Sequence, residues 1–386
     1  MGFSQSLSGV NAASSQLDTI GNNIANSQTV GYKSSSVQFA DIYANSQGLG
    51  TRVADTVQNF GTGSLETTGR SLDLAIAGDG FFQFSQNEQM AYSRNGQLTM
   101  SADGYFENAQ GARLTDQQGE PLQITEFSQG SQATTGVQSE FNLDAEAEPA
   151  TVTPFDPENS DSYNYVTNAG TVYDSLGVAH DMSLYYTKTG ANTWDVRSGL
   201  DGETTGDTGT LSFNDDGSYN EAGSTPLAVN GFDPNNGAAA MNFPVDLSNT
   251  TQYGSEFELR NFAQDGNASG TFVGVDITEN GEIMANYSNG NSGEVGTIGM
   301  ANFRNPEGLT PEGDNLWTAT QESGAALLGQ AGSGQIGSLE SGTVEASNVD
   351  LTQELVDMII AQRNFQANNN AIQTQSDILE TVTNLR

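Results

Sequence analysis

The sequence predicts a mixed, mainly β protein: two antiparallel β domains in the middle of the chain, with long N- and C-terminal α-helices that pair as a coiled coil. Three observations carry this. The two ends show helical apolar periodicity that the interior lacks, the interior is cut into short β-prone runs by turn dipeptides, and the acidic charge is concentrated in the interior.

At the N-terminus, Phe3, Leu7, Val10, Ser14, Leu17, Gly21 and Ile24 alternate steps of four and three, and five of the seven are apolar. That spacing is one face of an amphipathic helix of roughly 24 residues, ~36 Å long. At the C-terminus, Leu351, Met358, Phe365, Ile372 and Leu379 recur every seven residues, and Leu355, Ile359, Val382 and Leu385 widen the stripe. The other half-heptad positions, Gln362, Asn369, Ser376 and Thr383, are polar, so the left-handed seam is imperfect. Ser347 and Asp350 have capping-box spacing, and the helix is expected over 349–384.

Between the ends lie Asp79-Gly80, Asn95-Gly96, Asp103-Gly104, Asp201-Gly202, Asp216-Gly217, Asp265-Gly266, Asn280-Gly281 and Asn289-Gly290. Such pairs supply the positive φ of hairpin turns. They separate β-prone runs such as Leu72 to Ala77, Phe81 to Phe84, Thr171 to Tyr173, Met182 to Thr187 and Thr271 to Ile277. Residues 34–70, poor in large apolar groups, read as an extended connector with a short strand at Arg52 to Phe60. The expected organisation is a terminal helical domain (1–33 and 349–386), a connector (34–70 and 335–348), an inner β domain (71–144 and 269–334) and an outer acidic β domain (145–268).

The 386 residues carry 48 acidic against 11 basic side chains, a net charge of −37, which argues against nucleic acid and anionic membrane surfaces as partners. Residues 140–290 hold 24 acids and 3 bases, whereas 1–50 with 351–386 hold only 6 and 3. That partition suits a solvated central domain and nearly neutral ends that pack closely. No run approaches the ~20 apolar residues of a membrane span. The first residues lack the charged and apolar regions of a secretory signal, so no cleaved signal peptide is expected. With no cysteine, disulfides and thiolate chemistry are excluded.

Helices whose apolar surface is a single stripe must pair with each other or with other copies of the chain. The polar face of the second helix is rich in neutral amides (Gln362, Asn364, Gln366, Asn368, Asn369, Asn370, Gln373, Gln375), which approach their own copies without like-charge repulsion.

Other constellations read as ordinary structure. His180 with Asp174, Asp181 and Ser183 has no nucleophile elbow, so no catalytic residue is assigned. Acidic runs at Asn214 to Gly217 and Asp276 to Gly281 miss the EF-hand spacing and read as turns; no metal or cofactor is expected. The dinucleotide fingerprint is absent at Gly78 to Gly80, and Met1-Gly2 with Ser6 matches the acylation pattern by chance. The sequons at Asn249, Asn267 and Asn286 are expected to be exposed, and Phe81-Phe82 and Tyr185-Tyr186 to point one ring inward and one outward.

Three stretches carry a family resemblance: Ser8 to Lys33 (SGVNAASSQLDTIGNNIANSQTVGYK), Thr67 to Phe82 (TTGRSLDLAIAGDGFF) with Tyr92 to Gly96 (YSRNG), and Glu345 to Asn368 (EASNVDLTQELVDMIIAQRNFQAN). In order and spacing they resemble the bacterial flagellar axial proteins, the rod and hook family. TVYDSLGVAHDMSLYY (Thr171 to Tyr186), IMANYSNG (Ile283 to Gly290), ANFRNPEGL (Ala301 to Leu309) and GDNLW (Gly313 to Trp317) resemble its hook branch. The resemblance implies a non-enzymatic structural subunit of the extracellular hook, a helical homopolymer whose terminal helices form the inner wall of a tube acting as a universal joint. It implies further partners: the distal rod, the hook cap, the hook–filament junction protein and the flagellar type III export apparatus. Assembly contacts are expected at Leu7, Val10, Leu17, Ile24, Leu355, Met358, Phe365, Ile372 and Leu379. Asn22, Asn23, Asn26, Gly31, Asn348 and Asp350 match the family's terminal signatures, with turn, cap and packing roles. A distal rod subunit and, from a different class, a secreted β-rich adhesin or glycan-binding module are the alternatives.

Overall fold

The computed structural model describes residues 3–44, 47–87 and 89–384. Met1, Gly2 and Leu385 therefore lie outside the described residues, as does the side chain of Val382. The fold is mainly β with two long helices, and the chain divides into two compact units. The first takes the chain up to Thr125 with Gly274–Asn286 and everything from Ser292; the second takes Glu126–Val273 with Tyr287–Asn291. The second unit is wider than 145–268 because the strand Val137–Asp144 lies inside its core, with Val137, Phe141 and Leu143 buried there.

In the first unit, helix α1 (Phe3–Ala25) is followed by strands β1 (Ser35–Ala44) and β2 (Gln47–Gln58). These two pair antiparallel from Ser35 opposite Gln58 to Ala44 opposite Gln47. The expected extended connector is thus a long hairpin. The hairpin lies against α1, where the Thr51 amide donates to Ser8 Oγ at 3.2 Å.

The β body of this unit interlaces sequence from both halves of the chain. Strand Asp73–Ala77 pairs with Ser338–Ser341, and Leu65–Thr67 pairs with Thr343–Glu345. A larger sheet runs through Phe81–Gln86 and Gln89–Ser93 to Leu316–Thr318. Phe81 and Phe82 are both buried, correcting the inward–outward expectation, because this sheet is covered on both faces: Phe81 packs with Tyr92, Phe303 and Trp317. Phe60, just past the hairpin, makes edge contacts with Phe81 (5.5 Å) and Trp317 (5.6 Å), so the connector is tied into the β core by an aromatic anchor.

The second unit has a four-stranded antiparallel meander (Tyr165–Tyr173, Ala179–Gly190, Thr193–Leu200, Glu203–Ser212) and a five-stranded sheet around Val137–Asp144. The latter is not purely antiparallel as expected: Val137–Asp144 pairs parallel with Met241–Asp246 and with Thr251–Tyr253, and antiparallel with Glu258–Gln264. A central strand shared by three partners needs chain crossovers that local patterns do not encode. One core holds both sheets, with Trp194, Tyr186, Phe141 and Val196 fully buried.

Two expected turn glycines have another role. Gly96 and Gly266 are absent from the positive-φ set; a Cβ on Gly96 would lie 2.1 Å from Leu74 O, and one on Gly266 2.4 Å from Thr134 Oγ1. Close approach, not turn geometry, requires them. Asn267 is buried, correcting its expected exposure, because its amide donates to Ala268 O (2.9 Å) and Gly130 O (3.3 Å).

Candidate functional site

Helix α2 (Leu351–Asn384) is 34 residues, about 51 Å. Its N-cap is Asp350, whose Oδ1 accepts from Thr352 N (2.9 Å) and Gln353 N (3.1 Å). Ser347, the expected cap, instead accepts from Val349 N at 3.3 Å, one turn too early.

α2 lies against α1, and its partly or fully buried positions include Glu354, Met358, Ala361, Phe365, Asn368, Ile372 and Gln375, spaced four and three apart, flanked by Asp357, Asn369 and Ala371. The apolar heptad positions Met358, Phe365 and Ile372 are on this seam; of the polar half-heptad positions Asn369 is half-buried, while Gln362 and Ser376 are exposed, because Ala361 and Gln375 are covered instead. Ala361 is fully buried, and Asn368 lies so close to Gly9 that a Cβ there would meet its Nδ2 at 2.7 Å. On α1, Ala12, Ala13 and Ile20 are buried, Val10, Leu17 and Ile24 are half-buried, and Leu7 is exposed.

Apolar side chains stand exposed near both ends of α2: Leu355, Val356, Ile359 and Ile360 lie off the α1 seam, Leu351 lies on the seam's own seven-residue repeat, and Ile378 and Leu379 lie near the end of the helix, with Ile359 exposed by 51% and Leu379 by 60%. Val356 and Ile360 were not singled out in the sequence, because they fall off the seven-residue repeat; the run of apolar residues from Leu355 to Ile360 was the available signal. Between the two apolar ends, the outward surface is mostly amide and hydroxyl side chains.

Where the helices join the β body, buried polar groups form a neck. Asn23, at the end of α1, donates to Glu354 Oε1 (2.7 Å) and Ser35 O (2.8 Å) and accepts from Ser35 N (2.9 Å). One side chain thus fastens α1, β1 and α2. Asn22 O accepts from Asn26 N and its side chain, ending α1, and Gly31 follows at φ +71, where a Cβ would meet Asn95 N at 2.7 Å. Asn348 accepts from Ser34 N (2.8 Å) and donates to Asn59 O (2.7 Å) and Gly61 O (3.0 Å).

Glu345 sits between two cations. Its Oε1 is 2.7 Å from Lys33 Nζ and accepts from Gly63 N (2.7 Å), while Oε2 is 3.5 Å from Arg94 Nη1. Lys33 also donates to Gly61 O, and Arg94 to Gly78 O, both at 2.8 Å. Lys33 and Glu345 side chains are fully buried. Burial pulls the Lys33 and Arg94 pKa values down, and the Glu345 charge works against that pull. Lys33 closed the N-terminal motif in the sequence, but its partner is 312 residues away.

His180 meets Asp174 and Asp201, not Ser183 or Asp181, and Asp216 spends its carboxylate on Ser218 N and Oγ. Among the described residues no three His, Asp or Glu side chains are grouped to hold a metal ion.

Family models match along the chain: "Flagella basal body rod protein" over 5–33, "Flagellar hook protein FlgE/F/G D1 domain" over 75–153, "Flagellar basal body protein FlaE D2 domain" over 142–267 and "Flagellar basal body rod FlgEFG protein C-terminal" over 340–385. The flagellar hook protein FlgE of Escherichia coli K12 is 43% identical over 405 aligned residues that cover all of both chains. The chain belongs to the flagellar hook protein family. That of Salmonella typhimurium is 42% identical, again over the whole of both chains. The crystal structure of the Helicobacter pylori flagellar hook protein FlgE2 matches with a TM-score of 0.53 at 15% identity, covering 71% of this chain and 99% of that one, and so shares its fold.

This hook-family chain is a structural subunit of the external flagellum, and the family is not one of enzymes. Among the described residues no helix is long and apolar enough to cross a membrane. In the hook-family frame, the helix pair and neck are the parts matched by the rod and FlgEFG C-terminal models, and the second unit contains the D2 match.

Proposed function

We propose that this hook subunit polymerises through the outward face of α2, building a flexible helical tube that transmits torque from motor to filament. The observation that carries the reading is the exposed apolar group Leu355, Val356, Ile359 and Ile360, off the side of α2 that meets α1, with Ile378 exposed near the other end of the helix. A surface of this kind is stable in water only when other copies bury it. The four–three spacing of the seam supports a coiled-coil-like pairing of α1 and α2 as the wall element of the tube. The amide-rich middle of α2 suits contacts that exchange as protofilaments lengthen and shorten, and the acidic residues of 145–268 suit a solvated outer layer.

On this reading, Leu7, Leu355 and Leu379 contact neighbouring copies, while Val10, Leu17, Ile24, Met358, Phe365 and Ile372 hold the pair together. The remaining partners are the distal rod, hook cap, junction protein and type III export apparatus, taken from the family resemblance. Ile359→Asp tests the proposal. It should abolish tubes in sedimentation and negative-stain microscopy while leaving the monomer's helicity and unfolding transition unchanged. Tubes of normal length from that variant would overturn the outward-face assignment. Phe365→Asp, on the seam, should lose both polymer and helix pairing but leave the β units folded.

A further inference from the structure

His180 is the one histidine in the chain, buried on strand Ala179–Gly190 of the second unit. Each of its ring nitrogens faces a carboxylate: Nδ1 is 2.6 Å from Asp201 Oδ2, and Nε2 is 3.3 Å from Asp174 Oδ2. A neutral imidazole has one N–H and one lone pair, and a lone pair directed at a carboxylate oxygen is repelled. The geometry is therefore that of an imidazolium donating from both sides.

Three segments meet on this cation. Asp174 Oδ1 accepts from Leu176 N (2.8 Å) and Val178 N (2.9 Å), shaping the turn before His180, and its Oδ2 accepts from Asn236 Nδ2 at 2.5 Å. Asp201 begins the turn between Thr193–Leu200 and Glu203–Ser212, and its Oδ1 accepts from Asp181 N at 3.0 Å. The segment 232–239 closes the group: the Phe232 ring stands edge-on to His180, and Ala239 N donates to Ser175 Oγ at 2.9 Å. Asp174 and Asp201 are the charged groups facing the ring. Segment 232–239 presents only Phe232 and the Asn236 amide, its Asp233 being turned to Asn235 N, and Asp181 contributes backbone alone.

We propose that His180 is a protonation-dependent strut: as imidazolium it fastens the 174–178 turn and the 232–239 segment to the Asp201 turn, and its deprotonation releases them. The turn carries the exposed Leu176 and Val178, so the strut governs how a two-residue apolar tip is presented to solvent or to a neighbour. Burial pulls the His180 pKa down, but hydrogen bonds and charge from Asp201 and Asp174 outweigh it, and the net direction is up from 6.5. Burial likewise pushes Asp174 up, and its donors Asn236, Val178, His180 and Leu176 bring it below the usual carboxylate value. The sign follows from linkage. The histidine contribution is complete below 6.5 and is lost as pH rises through the elevated folded value; the Asp174 contribution is lost only in strong acid. The strut is closed in mild acid and opens as pH rises through the elevated folded value.

A single histidine gives unique ring signals, so the full-length wild-type chain can be titrated directly by heteronuclear NMR. Both ring nitrogens should be protonated in mild acid, with a midpoint above 6.5. Amide exchange at Leu176, Val178 and Ala239, corrected for the intrinsic base-catalysed rate, should accelerate with the same midpoint. Asp201→Asn should lower that midpoint, and His180→Gln should remove the pH dependence at those three amides. A midpoint at or below 6.5, or a titrating ring with unchanged protection at these amides, would overturn the proposal. The wild-type titration decides it without relying on the folding of any variant.

Discussion

The second unit and the helical end of the first treat apolar side chains in opposite ways. In the second unit, Trp194, Tyr186, Phe141 and their neighbours fill one closed core, and even the Trp194 indole N–H is satisfied, by Gln252 Oε1 at 2.7 Å. At the helical end, α2 packs one side on α1 and leaves apolar residues exposed near both of its ends. A region that closes its apolar surface on itself is a finished body; one that leaves half a stripe open is completed by something else. The neck joins the helical end to its own β body not by apolar burial alone but by buried charge, where geometry matters more than area.

The comparison can be broken most severely at the neck. Glu345→Gln leaves Lys33 and Arg94 buried without their anion, and losing one partner of a buried ion group costs on the order of 3–5 kcal/mol. The expected outcome is a loss of that size confined to the first unit. The two tryptophans separate the readouts, Trp317 lying in the first unit and Trp194 in the second. Denaturation of a Trp194→Phe background should report the loss through Trp317, and an unshifted transition would show that the triad contributes nothing.

The converse cut is Phe141→Ala in the closed core. Truncating a fully buried Phe costs about 3–5 kcal/mol through lost transfer energy and a cavity. Trp194 fluorescence should show an earlier transition for the second unit, while tube formation at temperatures below that transition should persist. Loss of tubes from a still-folded variant would mean that the second unit is not the self-contained body its core suggests.

A smaller effect is expected at Gly9, where α1 has no side chain and Asn368 of α2 packs against its backbone. Gly9→Leu forces its side chain against Asn368 and should cost about 1–3 kcal/mol of overpacking, read as a lower helix transition by circular dichroism with the β units unaffected. Gly9→Ala should sit nearer neutrality, since about 1 kcal/mol of gained helix propensity offsets the crowding. Equal stability of the Leu variant and wild type would show that the helices separate without penalty.

How much of this was legible in the sequence follows the same division. The helices were visible because a stripe of Leu, Met, Phe and Ile repeats at helical spacing, and Met358, Phe365 and Ile372 are on the seam. Their alternates Glu354, Ala361 and Asn368 were not visible, because a polar or small seam residue announces itself only through its neighbour, as Asn368 does through Gly9. The β1–β2 hairpin was missed for want of large alternating residues and of an Asn-Gly or Asp-Gly turn. Asp201 was passed over beside His180 because their pairing depends on strand register, Met182 opposite Leu200, and the Lys33–Glu345 pair joins opposite ends of the chain. Local periodicity is written in neighbouring residues; register, parallel pairing and buried charge are not.

The gentlest test concerns Glu354, in the first turn of α2, where the helix dipole favours a carboxylate. Burial raises its pKa, the Asn23 amide bond partly offsets this, and nearby Asp357 adds to the rise. A carboxyl whose folded pKa lies above its unfolded value binds protons more readily when folded, so this residue makes the helix pair more stable as pH falls through the raised value and less stable once ionised. Glu354→Gln keeps an oxygen to accept from Asn23 while removing the charge. The difference between the wild-type and Gln variant transitions, followed by circular dichroism from neutral pH into mild acid, isolates this group from the other carboxylates. The variant should be slightly the more stable at neutral pH, with the gap closing as pH falls. A gap that widens in acid would mean that the carboxylate is a net asset at the α1–α2 junction.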